Sequence, residues 1–139
     1  VTPDATLDLV EHDVVAEVRS LAVEEEHAGR GLGHRFLRHI ERTRVLLFVI
    51  DVSPYTSLAP LKNFQVLENE LKMYSGRLLQ KKIVVAANKI DLAAEDRTGI
   101  DALRNYCRRR KIPYVEISAL KGINLDQLKK TIFAFHEPE

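Results

Sequence analysis

The chain has 139 residues, 45% of them hydrophobic and 29% charged, with a net charge of +1. This length and composition predict one globular domain with its own core and exclude a disordered chain. The single cysteine, Cys107, excludes an internal disulfide, and the longest apolar run, 45–50, is far shorter than the roughly 20 residues that cross a bilayer. We therefore expect a cytoplasmic domain with no membrane contact, although an organelle is also open. Because the net charge is almost zero, any contact with nucleic acid must come from a local patch.

Hydrophobic periodicity divides the chain into alternating strands and helices. The predicted elements are, in chain order, a strand at 14–18, a loop at 24–33, a helix at 34–43, a strand at 45–51, a helix at 61–74, a strand at 82–87, a helix from about 100 that closes on 108–111, a strand at 113–119 and a helix from about 125. This alternation predicts an α/β fold, a mostly parallel sheet with helices on both faces. We expect residues 1–139 to form this single domain, and to form it as a monomer.

Polar residues stand where three of these strands end. Asp51 closes the strand at 45–51, residues 88–91 follow the strand at 82–87, and Ser118 and Ala119 end the next one. Because parallel strands present their carboxyl ends at one edge of a sheet, where ligands bind in such folds, these residues should gather along one rim.

The chemistry of this rim suits a guanine base. The carboxylate of Asp91 offers two acceptors to the adjacent donors N1 and N2, which adenine lacks. The methylene stem of Lys89 can lie along an aromatic plane, and Asn88 can contact the other edge of the base or brace a neighbouring loop. Ser118 could brace Asp91 by a hydrogen bond, and the backbone N–H of Ala119 could reach guanine O6. Asn124 could cap the last helix.

Two motifs resemble those of a known family. Asn-Lys-Ile-Asp at 88–91 and Ser-Ala-Leu at 118–120 resemble the guanine-recognition motifs N-K-x-D and S-A-L/K of P-loop GTPases. The stretch 31–51, GLGHRFLRHIERTRVLLFVID, resembles the second switch helix and following strand of Obg-type GTPases, which assemble the large ribosomal subunit. The resemblance implies binding of GTP and GDP, slow hydrolysis with magnesium, and contact with the large subunit. It assigns guanine contacts to Asn88, Lys89, Asp91, Ser118, Ala119 and Leu120.

The phosphate-binding part of the family pattern is not found in these residues. No G-x-x-x-x-G-K-[ST] motif occurs, so we expect these residues to lack the first strand, the P-loop and the first helix of a G domain. The stretch 14–20 stands at the family's D-x-P-G position, with Glu17 and Ser20 in place of the aspartate and glycine, and Gly31 and Gly33 would belong to the same switch. No magnesium ligand can be identified. We expect GTP hydrolysis to be slow or absent, whether the chain is a piece of a longer GTPase, an edited sequence or a degenerate relative.

Other interpretations stay open. Arg35, Arg38 and Arg42 share a face of the helix at 34–43, which is either solvated or a contact for ribosomal RNA or protein. If it is a contact, the chain could be a pseudo-GTPase scaffold without a nucleotide cycle. A third reading is an α/β domain that binds another phosphorylated ligand. The histidines lack metal-ligand spacing. Asp51 and the basic run 108–111 are interpreted as structural, and Cys107 as a buried apolar residue.

Overall fold

A computed structural model of the chain describes residues 15–18, 44–74 and 76–136. They form, in chain order, β1 (Val15–Val18), β2 (Val45–Asp51), α1 (Pro60–Tyr74), a 3₁₀ turn (Gly76–Gln80), β3 (Lys82–Asn88), a 3₁₀ turn (Ile90–Leu92), α2 (Thr98–Arg109), β4 (Tyr114–Glu116) and α3 (Leu125–His136). The predicted strands and helices of this part are confirmed. The predicted loop at 24–33 and helix at 34–43 lie outside the described residues.

The described strands form one parallel sheet in the order β1-β2-β3-β4. Strands β2 and β3 begin and end together, because Val45 pairs with Lys82 and Asp51 pairs with Asn88. Strand β4 is shorter than predicted. The N–H of Ile117 still bonds the carbonyl of Ala87 at 2.8 Å, but Ser118 then turns away to bridge Ile123. The carboxyl ends of β2, β3 and β4 therefore meet at one rim, as predicted.

Alternate residues of the buried strands face two different helix layers. One face of the sheet packs against the buried sides of α1 and α2, and the other packs against α3. On the first face the rings of Phe48 and Phe64 meet edge to face, with their centroids 5.0 Å apart. Because both faces of β2 are covered, its core residues are continuously apolar, which is why the sequence shows no alternation there.

Two local signals place the helices that flank the rim. Pro60 opens α1, where its missing N–H costs no helical hydrogen bond. Asp96 lies before α2, and its carboxylate accepts hydrogen bonds from the N–H and hydroxyl of Thr98 at 2.9 and 2.6 Å.

Cys107 is fully buried on the core side of α2, as predicted. None of the helices in the described ranges is long and apolar enough to cross a membrane.

Candidate functional site

Asp51 and Lys89 meet at the rim as an ion pair. The Lys89 ammonium lies 2.9 Å from Asp51 Oδ2, while Asp51 Oδ1 accepts a hydrogen bond from the N–H of Ser53 at 2.8 Å. Partial burial opposes ionisation of Asp51, but the hydrogen bonds from Lys89 and Ser53 outweigh it and hold the pKa of the carboxyl below its ordinary value. The paired carboxylate therefore fixes the end of the Lys89 side chain above the rim.

Asn88 joins the loop after β3 to the loop after β4. Its side-chain oxygen accepts hydrogen bonds from the N–H of Lys89 at 2.8 Å and from the N–H of Ala119 at 3.0 Å. Only 9% of Asn88 is exposed, so its side-chain amide is a buried group that connects the two loops of the rim. This is the bracing role predicted for Asn88. The N–H of Ala119, which we predicted to contact guanine O6, is held by Asn88 in this structure.

The backbone at Lys89 turns the chain back towards β4. Lys89 has φ 67° and ψ 36°, a left-handed conformation that costs a residue with a side chain about 1–2 kcal/mol. The turn lets the N–H of Ile90 bond the carbonyl of Ile117 at 3.0 Å. Asp91 follows within the short 3₁₀ turn, and its exposed carboxylate has no hydrogen bond or ion pair with any described residue. An acceptor with two unused oxygens therefore stands at the edge of the rim.

The loop after β4 forms a tight turn from Ser118 to Ile123. These two residues exchange backbone hydrogen bonds of 3.2 and 3.0 Å, and Gly122 supplies a left-handed φ of 73°. Ser118 is 1% exposed, and its hydroxyl accepts a hydrogen bond from the N–H of Lys121 at 3.1 Å. Ser118 therefore braces its own turn and not Asp91, which corrects the prediction. The turn leaves Leu120 74% exposed beside the rim.

Asn124 and Arg97 tie the two loops to β4. The side-chain amide of Asn124 donates to the carbonyl of Glu116 at 2.8 Å, so its observed bond is to the strand and not to the start of α3 as predicted. The guanidinium of Arg97 lies 2.5 Å from a Glu116 carboxylate oxygen, which also accepts a 3.0 Å hydrogen bond from the hydroxyl of Tyr114. The segment that leads from Asp91 to α2 is thereby anchored at its far end.

The structure brings together the residues predicted to contact guanine. It does not describe most of the residues predicted for the switch and for partner contact. Residues 88–91 and 118–120 lie side by side. Glu17 lies in β1, where its backbone is paired with Leu47. The remaining switch and partner residues lie outside the described residues: Ser20, Gly31, Gly33, Arg35, Arg38 and Arg42.

Asp51 is the residue whose contribution to the site the sequence reasoning missed. We interpreted it as an acid that merely ends a strand, but it holds Lys89. No signal in the sequence marks this pairing, because it depends on the register of β2 and β3, which places Asp51 opposite Asn88.

The sequence of this chain is similar to those of known GTP-binding proteins. The sequence model of the Ras family matches residues 31–135, well over half of the chain. The chain belongs to the Ras family. The GTPase Obg of Aquifex aeolicus (strain VF5) is 40% identical to it over 131 residues, which are 94% of this chain and 38% of that protein. The predicted Obg-type relationship is thereby confirmed. This Ras-family chain spans only about a third of the length of the curated relatives it matches.

Two solved structures of Era share the fold of this Ras-family chain. One is a point variant of Aquifex aeolicus Era bound to GDP·AlF4⁻, and the other is Era in complex with MgGDPNP and nucleotides 1506–1542 of 16S ribosomal RNA. Each is 30% identical to this chain, with a TM-score of 0.52, and the match covers 78% of this chain and 35% of the Era chain. The predicted G-domain-like α/β fold is therefore confirmed.

Proposed function

We propose that this chain binds the guanine base of GTP and GDP between residues 88–91 and 118–120. One observation carries the proposal: Asn88 Oδ1 lies 3.0 Å from the N–H of Ala119 and so joins the two motifs into a single rim. Beside this junction the Asp91 carboxylate is exposed and unpaired with the described residues. A pair of acceptors next to a rigid backbone donor is the arrangement that the N1, N2 and O6 edge of guanine requires.

Each residue of the rim has a distinct role in this proposal. Asp91 accepts from guanine N1 and N2, and each hydrogen bond to its charged carboxylate contributes about 1.5–3 kcal/mol. The stem of Lys89 lies along one face of the base while Asp51 holds its ammonium. The N–H of Ala119, shared with Asn88 Oδ1, reaches O6. Leu120, largely exposed before the ligand arrives, covers an edge of the base.

The residues that the structure describes do not fit the magnesium ion that the family implies. No group of three or more histidine, cysteine, aspartate or glutamate side chains among the described residues could hold a metal ion. The nearby Asp51 carboxylate is already engaged by Lys89 and Ser53. These 139 residues also contain no G-x-x-x-x-G-K-[ST] motif. We therefore propose base recognition as the function of this site, with GTP hydrolysis by these residues alone slow or absent.

The family relationship supports a ribosomal partner as the wider role. The curated relatives are Obg GTPases, and one of the similar Era structures contains 16S ribosomal RNA. We propose that the chain serves in assembly of the large ribosomal subunit, in the cytoplasm and as a monomer. The predicted contacts are Arg35, Arg38 and Arg42. A scaffold without a nucleotide cycle is the alternative, and it predicts that GDP leaves ribosome binding unchanged.

The substitution Asp91→Asn tests base recognition. The amide keeps one acceptor for N1 but places a donor opposite the N2 amino group, so affinity for GDP should fall by about 100-fold or more. Xanthosine diphosphate carries an oxygen at position 2, and its affinity for the variant should rise correspondingly. Chemical-shift titration of ¹⁵N-labelled protein follows both ligands even when binding is weak, with ADP as the unrelated base.

A neighbouring acid provides the matched control. Glu95 is exposed on the same loop, and Glu95→Gln makes the same change of charge while GDP affinity should stay within twofold. Equal GDP affinity in wild type and Asp91→Asn, or equal affinity of the wild type for ADP and GDP, would refute guanine recognition by this site.

A further inference from the structure

The basic residues of the described chain are concentrated in two stretches without any acid. Residues 72–82 contain Lys72, Arg77, Lys81 and Lys82, and residues 104–113 contain Arg104, Arg108, Arg109, Arg110 and Lys111. Asp51, Asp91 and Glu116 lie near the candidate site, whereas Glu68 and Glu70 lie on α1, and Glu68 pairs with Arg110 of the second stretch. A chain whose net charge is only +1 therefore has a positive local region.

The fold brings these stretches to the edge of the sheet opposite the site. Arg44 directly precedes β2, whose first residue pairs with Lys82. Lys111 lies just before β4, which joins β3 in parallel. Helices α1 and α2 each start after the carboxyl end of a strand and run back, so their last turns, with Lys72 and Arg108, reach this edge too. The adjacency is visible in a cavity of about 510 Å³ lined by both Lys72 and Arg110.

Several of these cations already have a partner among the described residues. Arg104 pairs with Asp101 at 3.1 Å, and Arg109 lies over the Tyr106 ring at 5.9 Å from its centroid. Arg110 pairs with Glu68 at 2.8 Å and also lies over Tyr106, at 5.2 Å. Arg44, Lys72, Arg108 and Lys111 are exposed and form no ion pair with any described acid. A helix dipole accounts for cations at the end of α2 but not for Arg44, which lies on a different element.

We infer that this surface, made of Arg44, Lys72, Arg108, Arg109 and Lys111 and here named the basic edge, binds the phosphate backbone of RNA. The inference rests on the ribosomal part of the proposed function and not on guanine binding. Arginine predominates, and its planar guanidinium suits phosphate oxygens. Tyr74, at the end of α1, is 46% exposed and offers an aromatic face on which a base can stack.

The basic edge and the guanine site can be occupied together. The seven residues of β2 separate Arg44 from Asp51, a distance of about 23 Å at 3.3 Å per residue. RNA bound at one end of the strands therefore leaves the rim at the other end open. The two activities are separable by mutation.

The test uses fluorescence anisotropy with a labelled 20-nucleotide oligouridylate. The triple variant R44E/R108E/K111E reverses one charge on each of three segments, and none of these residues pairs with a described acid. Its affinity for the RNA at 50 mM KCl should fall at least tenfold. The slope of log affinity against log salt should flatten by about 2, since each lost phosphate contact removes about 0.7.

A second triple variant controls for total charge. K62E/K129E/K130E changes the charge equally at exposed residues away from the basic edge, and its RNA affinity should stay within threefold. Thermal unfolding followed by circular dichroism checks that both triples are folded, and R108E/K111E replaces the first triple if that variant is not. Equal losses in the two triples would show a general charge effect and overturn the inference.

The remaining outcomes separate the inference from the proposed function. If R35E/R38E/R42E abolishes RNA binding and R44E/R108E/K111E does not, the chain does bind RNA, but the inference that it does so through the basic edge is refuted. If the wild type does not bind the RNA, both the ribosomal proposal and the inference fail, while guanine recognition is unaffected. Tighter binding of labelled polyglutamate than of RNA would indicate an acidic protein partner and overturn the inference.

Discussion

Replacement of Asn88 by alanine is the most informative test of how the candidate site is built. The side-chain oxygen of Asn88 is the acceptor for two backbone donors, the N–H groups of Lys89 and Ala119, at 2.8 and 3.0 Å. Alanine removes the acceptor and leaves both donors without their partner. The loops after β3 and β4 then lose the side-chain bond that joins them.

The structure sets the size of the effect. A buried donor that loses its partner costs about 1–3 kcal/mol. Both donors lie at the rim and are only partly buried, so water can reach them and the lower end of that range applies. We therefore expect Asn88→Ala to lower the free energy of unfolding by about 2–3 kcal/mol in urea titrations. Amide hydrogen exchange at Ala119 should accelerate more than exchange in the core of β2.

A second asparagine provides the control. Asn69 lies exposed on α1, and its side-chain amide donates a long hydrogen bond to the sulfur of Met73, at 3.8 Å. Asn69→Ala should leave stability within about 0.5 kcal/mol, or raise it slightly because alanine favours helix. If Asn88→Ala is as stable as Asn69→Ala and exchange at Ala119 is unchanged, the two loops are held by something other than Asn88, and the reasoning is refuted.

Three further predictions concern stability. Because the folded-state pKa of Asp51 is lowered, the ion pair contributes to the free energy of unfolding above about pH 4, and this contribution is lost as the pH falls through the folded-state pKa. The contribution is under about 1 kcal/mol, since the pair is exposed. Urea titrations should therefore show a difference in stability between wild type and Asp51→Asn at neutral pH that vanishes in acid. Burial raises the pKa of Cys107 to about 11, so the free energy of unfolding should fall as the pH rises above about 8.5. The variant Cys107→Ala should lose this dependence on pH. A thiol reagent should react only with the unfolded protein. Ile132 is fully buried under the sheet, and Ile132→Ala should cost about 2–5 kcal/mol against less than about 0.5 for the exposed Lys130→Ala.

The fold was predictable because its signals are local. Continuous apolar runs revealed β2 and β3, and residues at steps of three and four, such as Phe64, Leu67 and Leu71, revealed α1. The rim followed from one topological rule, since polar residues that end parallel strands must share an edge. These inferences require no knowledge of distant contacts.

The hydrogen-bond partners within the site were not predictable in the same way. The positive φ of Lys89 moves the following residues towards β4, and that of Gly122 closes a turn in which the Ser118 hydroxyl meets Lys121 and not Asp91. Each partner depends on backbone angles that residue type alone does not fix. The pairing of Asp51 with Lys89 depends on the register of two strands, which only the assembled sheet reveals.

Under the proposed function, the hydrogen bond from Ala119 to Asn88 also bears on discrimination between bases. The bond fixes the position of the loop that carries Ala119 before a ligand arrives, and guanine O6 would share this N–H with Asn88 Oδ1. Adenine would place its amino group against this N–H and an N1 without hydrogen against the Asp91 carboxylate. Both contacts would set like against like, and each unmatched buried group costs about 1–3 kcal/mol. The base contacts alone should therefore favour GDP over ADP by roughly 100-fold, without any contribution from the phosphates.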